Sequence, residues 1–167
     1  MRVTLLAAGF CVAFLFSPAA FAQSAKSLAG TYAGVAFKQT DGSGKTSDVF
    51  GPNPRAMMVL TPDGRYSIIV MRGDLPKLAS NSRLKGTPEE NRAVVAGSIA
   101  HFGRYTVDEK DKTITFQVEA STFANWDGQS QKRPFGAKGD ELTYKVPAPS
   151  TGMGSAEVTW KRMKPAL

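Results

Sequence analysis

The chain has one cysteine and one histidine in 167 residues. Cys11, the cysteine, lies in a leading segment unlike the rest. Residues 1–22 hold Arg2 as their single charge, and an apolar run over residues 5–16 leads to Ala20-Phe21-Ala22. A basic start, an apolar middle and small residues at the end make a secretory signal peptide. Cleavage is expected after Ala22, with export to the periplasm or the exterior, leaving 145 of the 167 residues. Without Cys11 there are no disulfides, cysteine nucleophiles or thiolate metal sites. A lipoprotein would need a small residue before Cys11 and an end to the apolar run there. Phe10 precedes it instead, and more apolar residues follow. The 12-residue run is short of the roughly 20 that cross a bilayer as a helix, so no transmembrane segment is expected.

A lone histidine also limits chemistry. Metal sites need several ligands, so only an all-oxygen site remains conceivable, and no metal or cofactor is expected. No G-x-S-x-G elbow and no glycine pattern of a phosphate or dinucleotide loop occurs. Acidic residues are fewer than basic ones: after the leader, 14 face 20, for a net charge of +6. The basic residues are scattered, with the densest group at Lys161-Arg162-Met163-Lys164, so a solvated surface is the reading and no nucleic-acid partner is expected. A chain of 145 residues suits one domain with one core, here residues 23–167.

What the chain has in quantity is short alternating runs. Residues 113–120 place Ile114, Phe116, Val118 and Ala120 on one face and polar residues on the other. Similar runs occupy 141–146 and 155–161, and less regular ones 31–37, 56–60, 65–71, 103–107 and 131–135. Turn chemistry separates them, as in Thr61-Pro62-Asp63-Gly64. About eight strands and an antiparallel all-β domain are expected.

One segment reads differently. Thr87-Pro88-Glu89-Glu90 offers an N-cap hydroxyl, proline at the first helical position and a glutamate three residues after the cap. Val95, Ile99 and Phe102 then recur at helical spacing, which predicts a helix from about Pro88 to Phe102 docked on the sheet. Two long stretches lack pattern. Residues 38–47 are read as disordered, and residues 72–86 as either an ordered lid or disorder.

Several blocks, in order, resemble the lipocalin-like domain family of bacterial proteins, within the calycin barrels. They include Gly30-Thr31-Tyr32, Phe50-Gly51-Pro52-Asn53-Pro54-Arg55, Thr61-Pro62-Asp63-Gly64, Met71-Arg72, Gly86-Thr87-Pro88-Glu89-Glu90, Phe102-Gly103-Arg104-Tyr105, Asn125-Trp126, and Arg133 with Phe135. Ala124 and Leu75 depart from the family's usual proline and basic residue. The resemblance implies an eight-stranded up-and-down barrel, open at one end, with a helix against its side. It implies no settled activity.

Such a barrel either fills its interior with side chains or holds one small ligand. Below roughly 300 Å³ of interior, binding there is not expected. Arg55, Arg72 and Arg133 stand at strand edges, and an arginine fork binds carboxylate or phosphate. Two converging at the mouth would suit an amphipathic anion, while pairing to close the barrel end is the plainer role. Trp126 with Asn125 reads as a cap over an opening or a surface for stacking a ligand. Tyr105 and Tyr66 carry hydroxyls that need partners if buried, and Phe116 belongs to the expected barrel wall. His101 is read first as a surface residue in the last turn of the helix; catalysis by His101 or Tyr105 is the weaker alternative. The leading expectation is an exported protein that binds a small apolar or amphipathic, possibly anionic, molecule in the barrel. The alternatives are a small barrel isomerase or cyclase, and a filled barrel acting through its surface.

Overall fold

The computed structural model describes residues 25–164, so the expected signal peptide and its cleavage point lie outside the described residues. The strands are β1 (Gly30–Thr40), β2 (Thr46–Asp48), β3 (Arg55–Leu60), β4 (Arg65–Met71), β5 (Ser98–Asp108), β6 (Thr113–Ser121), β7 (Ser130–Lys138), β8 (Glu141–Val146) and β9 (Ser155–Arg162). All neighbours are antiparallel, and β1 bonds both β3 and β9, which closes eight strands into a barrel with β2 as a flap on β1. Each of the eight expected runs lies within one barrel strand.

Alternation decides which side chains enter. In β4, Tyr66, Ile68 and Val70 are buried while Arg65, Ile69 and Met71 face out. Closure removes the sheet edges, and every inward position meets the opposite wall. Two bulges break the simple count. The β1–β9 register shifts between Gly34 and Ala36, so Tyr32 and then Phe37 and Gln39 all point inward despite their change of parity. On β6 the partner of β5 jumps from Ala120 to Val118. Gly103 sits there, where a Cβ would stand 2.0 Å from the Gln117 carbonyl oxygen.

The two ends differ. Short turns at 61–64, 109–112 and 139–140 join the strands at one end, and the connections at 41–54, 72–97, 122–129 and 147–154 gather at the other. At the short-turn end Ala25 and Leu28 are buried and plug the barrel. The Tyr32 hydroxyl donates to Leu28 O at 2.8 Å, and Trp160, Tyr32, Tyr105, Phe116, Met58 and Leu60 fill the space above. Burying each such side chain contributes roughly 1.5–3 kcal/mol.

The helix α1 (Pro88–Ala96) starts as expected. The Thr87 hydroxyl accepts from Glu90 N at 3.2 Å, and the Glu90 carboxylate accepts from Thr87 N at 2.8 Å. It ends six residues earlier than the expected Phe102, because Ser98 onward pairs with β4 and a barrel ladder outweighs a helical stripe. Ile99 and Phe102 therefore belong to β5, and Val95 is exposed, as no residue of α1 is buried. The stretch read as disordered is a hairpin. Asp41 accepts from Ser43 N, Ser43 Oγ and Lys45 N, and Lys38 Nζ lies 2.8 Å from the Asp48 carboxylate across β1 and β2. Short Asp–Gly–Ser loops of this kind satisfy their own backbone, which hydropathy patterning does not register.

Candidate functional site

At the long-loop end the inward side chains leave a cavity of about 70 Å³. Phe37 and Gln39 come from β1, Val70 from β4, His101 from β5, Arg133 from β7, Tyr144 and Val146 from β8, and Val158 and Trp160 from β9. Phe50, Trp126 and residues 149–151 form its rim. A second, wider recess of about 250 Å³ lies between the 122–129 and 147–154 connections, and it shares Trp126, Arg133 and Val146 with the cavity. The cavity alone falls below the roughly 300 Å³ expected of a ligand pocket. A whole ligand fits only if the rim moves and the two spaces join.

Arg133 is the chemical centre of this end. It is 3% exposed, and its guanidinium carbon stands 5.0 Å from the ring centres of both Phe116 and Tyr144. Gln131 Oε1 accepts from its Nη2. Among the described residues no carboxylate lies within 4 Å of it. Taking such a cation out of water costs several kcal/mol. Each aromatic face returns about 1–2 kcal/mol, and the Gln131 and Tyr144 contacts add hydrogen bonds, but no countercharge is among its partners.

Beside it, the Tyr66 hydroxyl lies 3.0 Å from His101 Nδ1. His101 is buried rather than at the surface, because it belongs to a strand instead of a helix end. Burial pushes its pKa down to about 3, and the Arg133 charge adds to the effect. The imidazole is therefore neutral at physiological pH. Burial likewise raises the Tyr66 and Tyr144 hydroxyls. Arg133 and the Trp160 N–H draw the latter part of the way back, although the indole N–H makes no full hydrogen bond. Trp126, in the 3-10 turn Ala124–Trp126, closes the group with its ring edge-on to His101 at 5.4 Å. That turn forms because Trp126 N donates back to Phe123 O.

Of the residues singled out in the sequence, Trp126, Arg133, Tyr66 and Phe116 come together here with His101. The others do not. Tyr105 is at the plugged end, its hydroxyl 2.8 Å from both Ala25 O and Thr61 O. Arg72 lies outside the barrel, paired with Asp74 at 2.8 Å, and its backbone N donates to Gly97 O. Arg55 is exposed and lines an outer groove with Phe50, Pro52, Asn53, Gly73 and Asp74. Asn125 is exposed, and its backbone oxygen accepts from Gln129 Nε2. The three arginines therefore do not converge. Gln39 went unnoticed in the sequence; it is 4% exposed in the cavity wall and accepts from Thr151 Oγ1 at 2.8 Å. Only the bulge at Gly34 turns it inward, and no local pattern marks that.

An antiparallel barrel of eight strands, plugged at one end and hollow at the other, defines a calycin-type protein. The chain belongs to the lipocalin-like domain family, whose profile matches residues 29–163. It is similar to the 4'-hydroxy-3'-methoxypropiophenone carrier protein of Aspergillus oryzae. The two are 30% identical over 103 residues, which cover 56% of this chain and 93% of that protein.

Proposed function

We propose that this protein is an exported carrier that holds a small apolar or amphipathic molecule in the open end of its barrel. The observation that carries the reading is the open end as a whole, where the small apolar-walled cavity and the wider recess meet at Trp126, Arg133 and Val146, with Tyr144 and the His101–Tyr66 pair beside Arg133. Pockets of this composition use apolar walls for affinity and a few polar groups for orientation. The name of the fungal relative, a carrier of an aromatic ketone, supports the same class of cargo. Export rests on the leader, and amino-terminal sequencing of the protein recovered outside the cytoplasm tests it. A mature chain starting at Gln23 is the expected result.

Binding is tested by titrating 4'-hydroxy-3'-methoxypropiophenone and a panel of small aromatics while following tryptophan fluorescence, since Trp126 and Trp160 both line the cavity. A saturable, one-site response is expected. No response to any of them, together with no small molecule in an extract of the purified protein, overturns the reading. The Tyr66–His101 pair gives the barrel isomerase its best footing. A histidine with a pKa of about 3 is a weak base at neutral pH, so the pair suits binding better than proton abstraction.

A further inference from the structure

We infer that the cargo is an acid: a planar apolar molecule that enters head first and lays a carboxylate against Arg133. The inference rests on the carrier reading and adds the chemistry of the head group. Arg133 is 3% exposed, lines the cavity, and has no carboxylate partner among the described residues. A buried cation of this kind calls for an anion, and nothing within the described barrel supplies one. Cations without an acidic partner also stand at the surface, where water solvates them; Arg133 is buried and lacks that solvation.

The surroundings select the anion. Gln131 engages Nη2, the Tyr144 hydroxyl faces the guanidinium, and the Phe116 and Tyr144 rings cover it at 5.0 Å, which fixes its plane; none of these partners carries a charge. One planar fork without an anionic partner matches a singly charged planar carboxylate. A phosphate dianion would need further cations, and the cavity wall offers no second arginine or lysine. His101, held neutral, adds no competing positive charge. The Tyr144 hydroxyl faces two donors, Arg133 and Trp160, so its own proton is the one it can give to a second carboxylate oxygen. Above this head group the walls are apolar: Val70, Val158, Phe37 and Trp160. The body of the ligand then extends past Trp126 toward the wider recess that Arg133 also lines.

The experiment compares 3-phenylpropanoic acid, its methyl ester and the ketone 4-phenylbutan-2-one, by isothermal titration of the mature protein at pH 7. The acid is expected to bind at least tenfold more tightly than either neutral analogue. In Arg133→Met the ratio of acid to ester affinity is expected to collapse toward one, and Arg133→Lys to restore part of it. Should Arg133→Met not fold, the three-ligand comparison in the unaltered protein decides alone. If ester or ketone binds as tightly as the acid, the carboxylate assignment is overturned and the carrier reading stands. If none of the three binds and the purified protein yields no small molecule on extraction, both fall.

Discussion

Tyr66 and His101 meet inside the barrel, hydroxyl to Nδ1 at 3.0 Å, although 35 positions separate them in the chain. The contact exists because Ile68 and His101 are opposite one another in the β4–β5 register, and both strands turn these parities inward. It shields the imidazole from water and sets the first of the expectations below.

Lowering the pH destabilises the fold through His101. Its folded pKa is about 3, whereas an unfolded histidine titrates near about 6.5. Between these values the unfolded chain binds the extra proton, so stability falls as the pH drops, by up to about 1.4 kcal/mol per pH unit. Urea unfolding at pH 6.5 and 5.0, above the range where carboxylates titrate, measures the slope. In His101→Gln the slope over that interval is expected to flatten. An equal slope in both proteins would place the sensitivity elsewhere.

Gly103→Ala disrupts the β5–β6 bulge. The new methyl would lie 2.0 Å from a backbone oxygen that cannot rotate away, and overpacking of this kind costs about 1–3 kcal/mol. Gly136, on β7, has nothing within 4 Å of a built Cβ, so Gly136→Ala stays within about 0.5 kcal/mol of the parent. Thermal melts of the two variants side by side separate collision from a general intolerance of alanine.

Tyr105→Phe separates stability from binding. It removes the hydroxyl shared by Ala25 O and Thr61 O; Thr61 O keeps Gly64 N as a donor, while leaving the buried Ala25 O without one costs about 1–3 kcal/mol. The tyrosine sits at the plugged end, so affinity for an aromatic probe should stay within twofold. A larger change in affinity would mean that the two ends of the barrel are coupled.

Trp126 controls passage through the rim. Trp126→Phe leaves Trp160, which is fully buried, as the sole tryptophan, and acrylamide should quench its emission weakly. Trp126→Ala removes the ring that stands edge-on to His101 and Phe123. Dissociation of a bound probe, followed by stopped-flow displacement, should then quicken by about tenfold, since most effects of such contacts fall on the off-rate.

Much of the fold is legible in local pattern. The run from Thr113 to Ala120 states its inward face residue by residue, and Thr87 with Glu90 states where the helix begins. The helix end was not legible: Ile99 and Phe102 fit a helical stripe, and only pairing with β4 makes them strand. The hairpin at 38–48 was hidden for a related reason. Its stability comes from Asp41 binding its own loop and from Lys38 reaching Asp48, neither of which leaves a hydrophobic period. Within the site, Trp126 and Arg133 stood out by residue type, whereas Gln39 did not, because a bulge at Gly34 changed which parity faces inward.

By itself the sequence determined the class: alternating runs of strand length separated by turn residues make an antiparallel all-β domain, and the resemblance to the lipocalin-like family pointed to a barrel. It also limited the chemistry, through a single histidine and a lone cysteine. The tertiary structure decided which of three arginines is inside. Arg55 and Arg72 stay at the surface, while Arg133 is carried into the barrel by the parity of β7 and enclosed by Phe116 and Tyr144 from other strands. That enclosure is a relation among residues distant in sequence. No local pattern contains it, since closure of the barrel creates it.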